Sequence, residues 1–310
     1  MDKILVNIDF KHDPSAQLEK AVYLAKQNDS FIELFSCCYN RAIVQGYLFD
    51  KQEEKHAEHA YVKQIEAKLE ALCAPIQEQG VRVGFDVSWN RHNSEGVVRK
   101  VLRFEPDILI HAVQPHSRLG HYLFAPVDWQ IARKCPVPVL FVKNTQWAEH
   151  TRMVACIDPL HEGDQSAALD TAIIEQSLAL APDYFTEIRF VHCFNTLPHE
   201  AIFDEHMVTD YEALRERVEN KHVQACNTLL QPHGFDVTHE QVAILHGEAE
   251  QMITAYVSDH KIDVITLGAV ARSVLDRLLV GSTIEYLVDH VECDVLVVKP
   301  PGFICPITES

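Results

Sequence analysis

The chain repeats itself, and this repeat limits its possible folds more than any other feature of the sequence. An apolar run that ends in aspartate occurs at Ile4 to Asp9 and again at Met153 to Asp158. An apolar run that ends in lysine occurs at Val139 to Lys143 and again at Val295 to Lys299. The two aspartates lie 149 positions apart (158 − 9) and the two lysines 156 positions apart (299 − 143). A nearly constant offset over half of a chain indicates a duplicated domain.

The length of 310 residues fits two domains of roughly 155 residues each. We predict a first domain at residues 1–147 and a second at 148–310, with a proline-containing tail that leaves the fold after residue 300. In each copy, short apolar runs alternate with segments of helical periodicity, which predicts a parallel sheet with helices on both faces. The third strand of the second copy is predicted over residues 236–244. The fold class is therefore α/β, with two tandem doubly wound domains of five parallel strands each.

The charge of the chain is distributed unevenly between its halves. The formal net charge is −18 at pH 7, of which residues 1–150 contribute −1 and residues 151–310 contribute −17. Nucleic acids and anionic membranes repel an acidic surface, so neither is expected as a partner. No run reaches the ~18 apolar residues of a membrane span, and the N-terminus does not resemble a signal peptide. The nine cysteines lack C-x-x-C pairs and are expected to be reduced thiols of a cytoplasmic protein.

The segment with the clearest chemical character precedes the last strand of the second copy. It runs from Leu267 to Ala271, and Gly281 to Thr283 follows nine residues later. A small residue at the end of a strand, followed by a helix N-terminus that carries hydroxyls, can bind an anion, because backbone N–H groups converge there. Asp158 is expected beside this segment, where it could bind a ribose hydroxyl or an adenine amine, or hold a metal that bridges phosphates. Alternatively, Gly268 serves only a turn and the hydroxyls only cap the helix.

Two strands that end in aspartate, and this glycine-containing segment before a final Val-Leu-Val-Val-Lys-Pro run, resemble the universal stress protein family. The resemblance covers about residues 3–143 and 152–300. A tandem duplication with a degenerate first copy is similar to the E type of that family. The resemblance implies an adenine nucleotide alpha hydrolase-like fold in each copy. It also implies that the first domain is the built-in dimer partner of the second, forming a pseudo-dimer. Whether the chain forms further homo-oligomers stays open.

In nucleotide-binding members of the family, the motif holds the phosphates and ribose, while the first-strand aspartate and a residue that ends the second strand hold the base. The positions of this sequence that match the pattern are Asp158, Cys193, Leu267, Gly268, Ala271, Gly281, Ser282 and Thr283. The resemblance therefore implies that the second domain binds ATP or a related adenine nucleotide with Mg²⁺ or Mn²⁺. Ala271 departs from the pattern, since the family has glycine there, and its methyl group could crowd the phosphate or forbid a positive φ angle.

The first copy departs from the motif throughout. It has Ala112, Pro115, Ala125 and Pro126 where the second copy has Gly268, Ala271, Gly281 and Ser282, respectively. A proline has no N–H to donate to a phosphate. We therefore predict that the first domain does not bind a nucleotide in the family's manner, and is either structural or holds a different ligand.

Three functions stay open from the sequence. The first is a stress-response sensor or adaptor that binds an adenine nucleotide in its second domain. The second is a slow ATPase in the same cleft. Arg272 and Arg277 are in the right loop for this activity, but no positioned general base or arginine finger can be named from the sequence. The third is a scaffold that binds no nucleotide. Possible metal ligands at His56 and His59, and among the acidic and histidine residues between 199 and 210, are more typical of solvated surfaces.

Overall fold

The computed structural model describes residues 1–44, 50–113, 126–143, 146–147, 150–160, 166–180, 186–195, 211–269 and 282–309. Its contacts divide the chain into two compact units, Met1–Gln146 with Phe303–Ser310, and Trp147–Gly302. The sequence boundary of 148–310 assigned the tail to the second domain, whereas the structure groups it with the first unit. One reason is a hydrogen bond from the Cys305 thiol to the Lys134 carbonyl oxygen, at 3.2 Å.

The first unit contains five parallel strands connected by helices. In chain order its elements are β1 (Lys3–Asn7), α1 (Ser15–Asn28), β2 (Phe31–Cys38), α2 (Arg41–Val44), α3 (Lys51–Gln77), β3 (Val83–Trp89), α4 (Asn93–Phe104), β4 (Ile108–Ala112), α5 (Pro126–Lys134) and β5 (Val139–Val142). The strands pair in the order β3-β2-β1-β4-β5. Because the order reverses at β1, the sheet is doubly wound and has a switch point between β1 and β4.

The second unit repeats this order. Its elements are β6 (Thr151–Cys156), α6 (Ser166–Leu180), β7 (Thr186–Phe194), α7 (Tyr211–Leu230), a 3₁₀ turn (Gln231–His233), β8 (Val242–His246), α8 (Ala249–Asp259), β9 (Val264–Gly268), α9 (Ser282–His290) and β10 (Asp294–Val298). The strands are parallel and pair in the order β8-β7-β6-β9-β10. The predicted fold class, two tandem doubly wound α/β domains, is confirmed.

Strands of both units are buried on both faces. The side chains of Ile108, Leu109 and Ile110 in β4 are at most 2% exposed, as are those of Val295 to Val298 in β10. Burial of one such side chain stabilises the folded state by about 1.5–3 kcal/mol. The uninterrupted apolar runs of the sequence are therefore buried strands of the two units.

The third strand of the second unit is shorter than predicted. The sequence predicted residues 236–244, whereas β8 is Val242–His246. The Asp236 carboxylate accepts a hydrogen bond from the Thr238 N–H at 2.8 Å, which closes a turn where strand was expected. A short polar side chain that bonds to nearby backbone competes with sheet pairing in this way.

Candidate functional site

Asp158 lies at the switch point of the second sheet. It follows β6 by two residues, and β6 is paired with β7 on one side and with β9 on the other. The buried Ile157 extends the pairing, since its N–H donates to the Val191 carbonyl oxygen at 3.0 Å. The Asp158 side chain is 58% exposed. Its carboxylate is therefore accessible at the carboxyl edge of the sheet, where doubly wound folds bind ligands.

The peptide group that connects Ile157 to Asp158 is held by two buried side chains. The Ile157 carbonyl oxygen is 3.0 Å from His192 Nδ1, and the Asp158 N–H donates to Asp170 Oδ1, also at 3.0 Å. Because a carbonyl oxygen only accepts, His192 Nδ1 carries the proton. The sequence reasoning missed both residues.

A second histidine completes this part of the site. His222 of α7 lies with its Nδ1 2.7 Å from His192 Nε2, and its ring stacks on that of His192 with centroids 5.0 Å apart. It also stacks on Phe194, at 4.8 Å. Burial, followed by the neighbouring His192, lowers the pKa of His222. The lowered pKa favours the neutral form of His222 at pH 7.

Asp170 is a buried carboxylic acid close to Asp158. Burial raises the pKa of Asp170 to about 7, with a smaller upward effect from the Asp158 charge and a downward effect from the Asp158 N–H. Its Oδ2 atom has no hydrogen-bond partner among the residues that the structure describes. Near neutral pH, Asp170 is therefore present in both protonated and ionised forms.

Cys193, the predicted counterpart at the end of the second strand, lies in β7 next to Asp158. Burial, and then the Asp158 charge, raise the pKa of the Cys193 thiol to about 12. Burial also raises the pKa of the Cys156 thiol well above its ordinary value. Both sulfurs are therefore protonated at neutral pH, which makes them poor nucleophiles and neutral neighbours for a ligand.

Gly268 ends β9 and is required by the packing of α6. A Cβ atom at this position would lie 2.7 Å from Leu169 Cδ2 and 2.8 Å from Ile173 Cδ1. Its φ angle is outside the left-handed region. The glycine therefore allows α6 to approach the end of β9 closely.

The rest of the predicted motif is described in part. Leu267 is buried in β9, and α9 begins at Ser282, so that Thr283 lies in its first turn. Ala271 and Gly281 lie outside the described residues, and so does the side chain of Ser282. The described residues thus bring Asp158, Cys193 and Gly268 to one edge of the second sheet.

The amino-acid sequence matches the Universal stress protein family over residues 1–143 and again over residues 150–299. The chain belongs to this family. Universal stress protein E of Photorhabdus laumondii is 27% identical over 308 residues, which cover 98% of this chain and 96% of that protein. Universal stress protein E of Escherichia coli strain K12 is 25% identical over 305 residues, with the same coverage.

Solved structures show the same fold. A protein of unknown function from Pseudomonas aeruginosa PAO1 matches with a TM-score of 0.76 at 23% identity, covering 98% of this chain and 94% of its own. A universal stress protein from Archaeoglobus fulgidus DSM 4304 matches with a TM-score of 0.61 at 15% identity, covering 96% of both chains. The chain therefore consists of two tandem universal stress protein domains.

The first universal stress protein domain contains a buried polar chain at the corresponding edge of its sheet. The amide of Asn7, in β1, donates from Nδ2 to His111 Nδ1 at 2.9 Å. His111, in β4, donates in turn from Nε2 to Asp128 Oδ1 of α5 at 2.8 Å. All three side chains are at most 6% exposed. We refer to Asn7, His111 and Asp128 as the polar chain.

The second domain has no polar side chain that can form such a chain at these positions. By the offsets of the repeat, 149 in the first strand and 156 from the fourth strand on, the polar chain corresponds to Cys156, Leu267 and Ile284. Two of the residues at which the first copy departs from the motif flank the polar chain. Ala112 ends β4 and Pro126 begins α5. Pro115 and Ala125 lie outside the described residues. His111 thus occupies the position of Leu267, which the family pattern assigns to the nucleotide.

Other features bear on metals and membranes. Within the described ranges, no three His, Cys, Asp or Glu side chains form a group that could hold a metal ion. Of the possible metal ligands named from the sequence, His56 and His59 are exposed on α3. The histidines and acidic residues between 199 and 210 lie outside the described residues. No helix among the described segments has the length and apolar character needed to cross a membrane.

The pKa of Asp170 predicts how the stability of the second domain depends on pH. The folded pKa of about 7 lies above the ordinary aspartate value of 3.8, so the stability contributed by protonated Asp170 is complete below pH 4 and is lost as pH rises towards 7. The free energy of unfolding of the wild type, relative to Asp170→Asn, should fall by on the order of 1.4 kcal/mol per pH unit in this window. Urea denaturation of both proteins at pH 5, 6, 7 and 8 measures the difference. If the free energies of unfolding of the two proteins depend on pH in the same way, the raised pKa of Asp170 is contradicted.

Proposed function

We propose that this universal stress protein binds ATP or a related adenine nucleotide in its second domain and acts as a sensor or adaptor in a stress response. The observation that carries the proposal is the placement of Asp158. Its exposed carboxylate lies at the switch point of the sheet, while the buried peptide group before it is held by side chains at both ends. A fixed backbone with an accessible carboxylate suits recognition of a ribose hydroxyl or an adenine amine, which donate hydrogen bonds.

The neighbouring elements suit the phosphates. β9 ends at Gly268, and α9 begins at Ser282 after the intervening segment. The N-terminus of a helix offers free backbone N–H groups and a favourable dipole to an anion. The net charge of −17 on residues 151–310 opposes a bare triphosphate. We therefore propose that the nucleotide binds as its Mg²⁺ or Mn²⁺ complex, since these hard cations bind phosphate oxygens and neutralise part of their charge.

The first domain differs at the same place, and we propose that it binds no adenine nucleotide. Pro126 opens α5 without an N–H to donate, and Asp128 of the polar chain lies in the first turn of the same helix. That the first domain serves instead as the built-in dimer partner of the second stays a prediction from the repeat. All nine cysteines are free thiols, which supports a role in the reducing cytoplasm.

Titration with ATP and Mg²⁺ tests the proposal. Native mass spectrometry should show one nucleotide per chain. Asp158→Ala should raise the dissociation constant by about tenfold, as expected for one lost hydrogen bond to a charged group. Asp9→Ala is the matched control, because Asp9 is the corresponding aspartate of the first domain. It should leave the affinity unchanged.

The other outcomes separate the alternatives from the sequence. Two nucleotides per chain, or equal losses in the Asp9 and Asp158 variants, would contradict a single site in the second domain. Metal-dependent release of phosphate from the bound complex would identify a slow ATPase in the same cleft. If the protein binds no nucleotide at any tested concentration, the remaining alternative is a scaffold that binds no nucleotide.

A further inference from the structure

The peptide group between Ile157 and Asp158 is the most constrained part of the site, and its two side-chain partners have no role in the family pattern given above. We propose that Asp170 and His192 are positioning residues, which fix this peptide group and thereby direct the Asp158 carboxylate towards the nucleotide. The inference rests on the proposed function. We call the two residues and the peptide group that they hold the peptide clamp.

The geometry of the peptide clamp explains how an exposed side chain acquires a fixed direction. The Asp158 carboxylate is 58% exposed. Its Cα–Cβ direction depends on the backbone dihedrals, which are fixed when the N–H and the preceding C=O are both hydrogen-bonded. Asp170 accepts the N–H and His192 binds the C=O. The orientation of Asp158 therefore depends on two residues that need not touch the ligand.

Both members of the peptide clamp are themselves held. Asp170 projects from the buried face of α6, next to Leu169 and Ile173, and α6 packs against β6 and β9. His192 is buried, and its second ring nitrogen binds His222 at 2.7 Å. Side chains in a close-packed interior occupy defined rotamers, and such an interior has low compressibility. The peptide clamp is therefore rigid before any ligand binds, as an effective binding site requires.

The first domain provides an internal comparison for the carbonyl side. Ile8 corresponds to Ile157, and its N–H donates to the Phe35 carbonyl oxygen just as that of Ile157 donates to the oxygen of Val191. Here the Ile8 carbonyl oxygen accepts a hydrogen bond from Ser36 Oγ at 3.0 Å. Ser36 thus takes the place of His192, and the carbonyl side is held in both domains.

The N–H side differs between the domains. The buried positions of α1 match those of α6 at the offset of 149, so that Ala21 and Leu24 correspond to Asp170 and Ile173. An alanine side chain cannot accept a hydrogen bond. The second domain, which keeps the nucleotide motif, therefore has the carboxylate side of the peptide clamp. The first domain, which lost the motif, has no carboxylate at the matching position. This difference favours a role in binding over a general need of the fold.

Substitution of Asp170 tests the inference directly. Asp170→Ala gives the second domain the residue of the first, so the variant is expected to fold, and it removes the acceptor for the Asp158 N–H. Its dissociation constant for ATP with Mg²⁺ should rise by about tenfold. Asp170→Asn keeps an oxygen at the same position and should bind within about twofold of the wild type. Hydrogen exchange of the Asp158 amide, measured by NMR without nucleotide, should accelerate in Asp170→Ala and stay slow in Asp170→Asn.

A double-mutant cycle with Asp158→Ala identifies the route of the effect. If Asp170 acts through Asp158, the double variant should bind no more weakly than Asp158→Ala alone. Additive losses would show that Asp170 acts independently of Asp158 and would overturn the inference. Equal affinities of the wild type and Asp170→Ala would also overturn it, while the proposed function would stand. A wild-type protein that binds no nucleotide would overturn the proposed function and the positioning role together, even if the amide of Asp158 is protected.

Discussion

Replacement of His111 by leucine is expected to lower the free energy of unfolding of the first domain by about 3 kcal/mol. His111 is buried between Asn7 and Asp128 and donates a hydrogen bond to the Asp128 carboxylate at 2.8 Å. Leucine is the residue that the second domain has at this position, and its volume is similar, so the substitution removes hydrogen bonds rather than packing. Loss of this donor removes a hydrogen bond to a buried carboxylate, which costs about 1.5–3 kcal/mol. Urea denaturation followed by fluorescence measures the change.

The matched control replaces the whole polar chain. Asn7→Cys, His111→Leu and Asp128→Ile together give the first domain the residues Cys156, Leu267 and Ile284 of the second. Exchange of a complete buried polar group for apolar side chains is often neutral or stabilising. The triple variant should therefore recover most of the stability that the single substitution loses. A triple variant less stable than His111→Leu, or a single variant as stable as the wild type, would contradict this account of the polar chain.

Gly281→Val is expected to abolish nucleotide binding, with a loss of affinity of more than about 100-fold. Gly281 immediately precedes Ser282, the first residue of α9. A branched side chain there would keep the phosphates away from the N–H groups at the start of the helix. Calorimetric titration with ATP and Mg²⁺ measures the loss, and the melting temperature should stay close to that of the wild type.

The corresponding position of the first domain supplies the control for Gly281. Ala125→Val places the same side chain at the matching point of the repeat, and it should change neither the affinity nor the stoichiometry of one nucleotide per chain. An unchanged affinity in Gly281→Val would remove the phosphates from their proposed position. An equal loss in both variants would show that the first domain also contributes to binding.

The fold could be predicted from the sequence because the central strands are marked by uninterrupted apolar runs. The runs that contain Ile108 to Ile110 and Val295 to Val298 became buried strands at the expected places. The third strand of the second domain was predicted too early in the chain, since the pattern did not show that the Asp236 side chain would close a turn with Thr238. A local hydrogen bond of this kind leaves almost no trace in hydrophobic periodicity.

The site was only partly predictable, for a related reason. Asp158 stands at the end of an apolar run and was found from its position, whereas Asp170 and His192 lie inside apolar patterns and were passed over. Asn7 and His111 lie within buried strands in the same way. A polar residue inside an otherwise apolar stripe was the available signal, because burial of such a residue demands a specific partner. The partner itself lies in another element, and only the structure identifies it.

The polar chain also makes the divergence of the two domains difficult to reverse in evolution. A descendant of the present first domain that regained the loop glycines would still carry histidine at position 111, where the nucleotide motif has leucine. Restoring that leucine alone would leave Asp128 and Asn7 buried without their common partner, so the intermediate would be less stable than either end point. The three residues must change together or nearly so. Selection on single substitutions therefore preserves the difference between the two halves at these three positions.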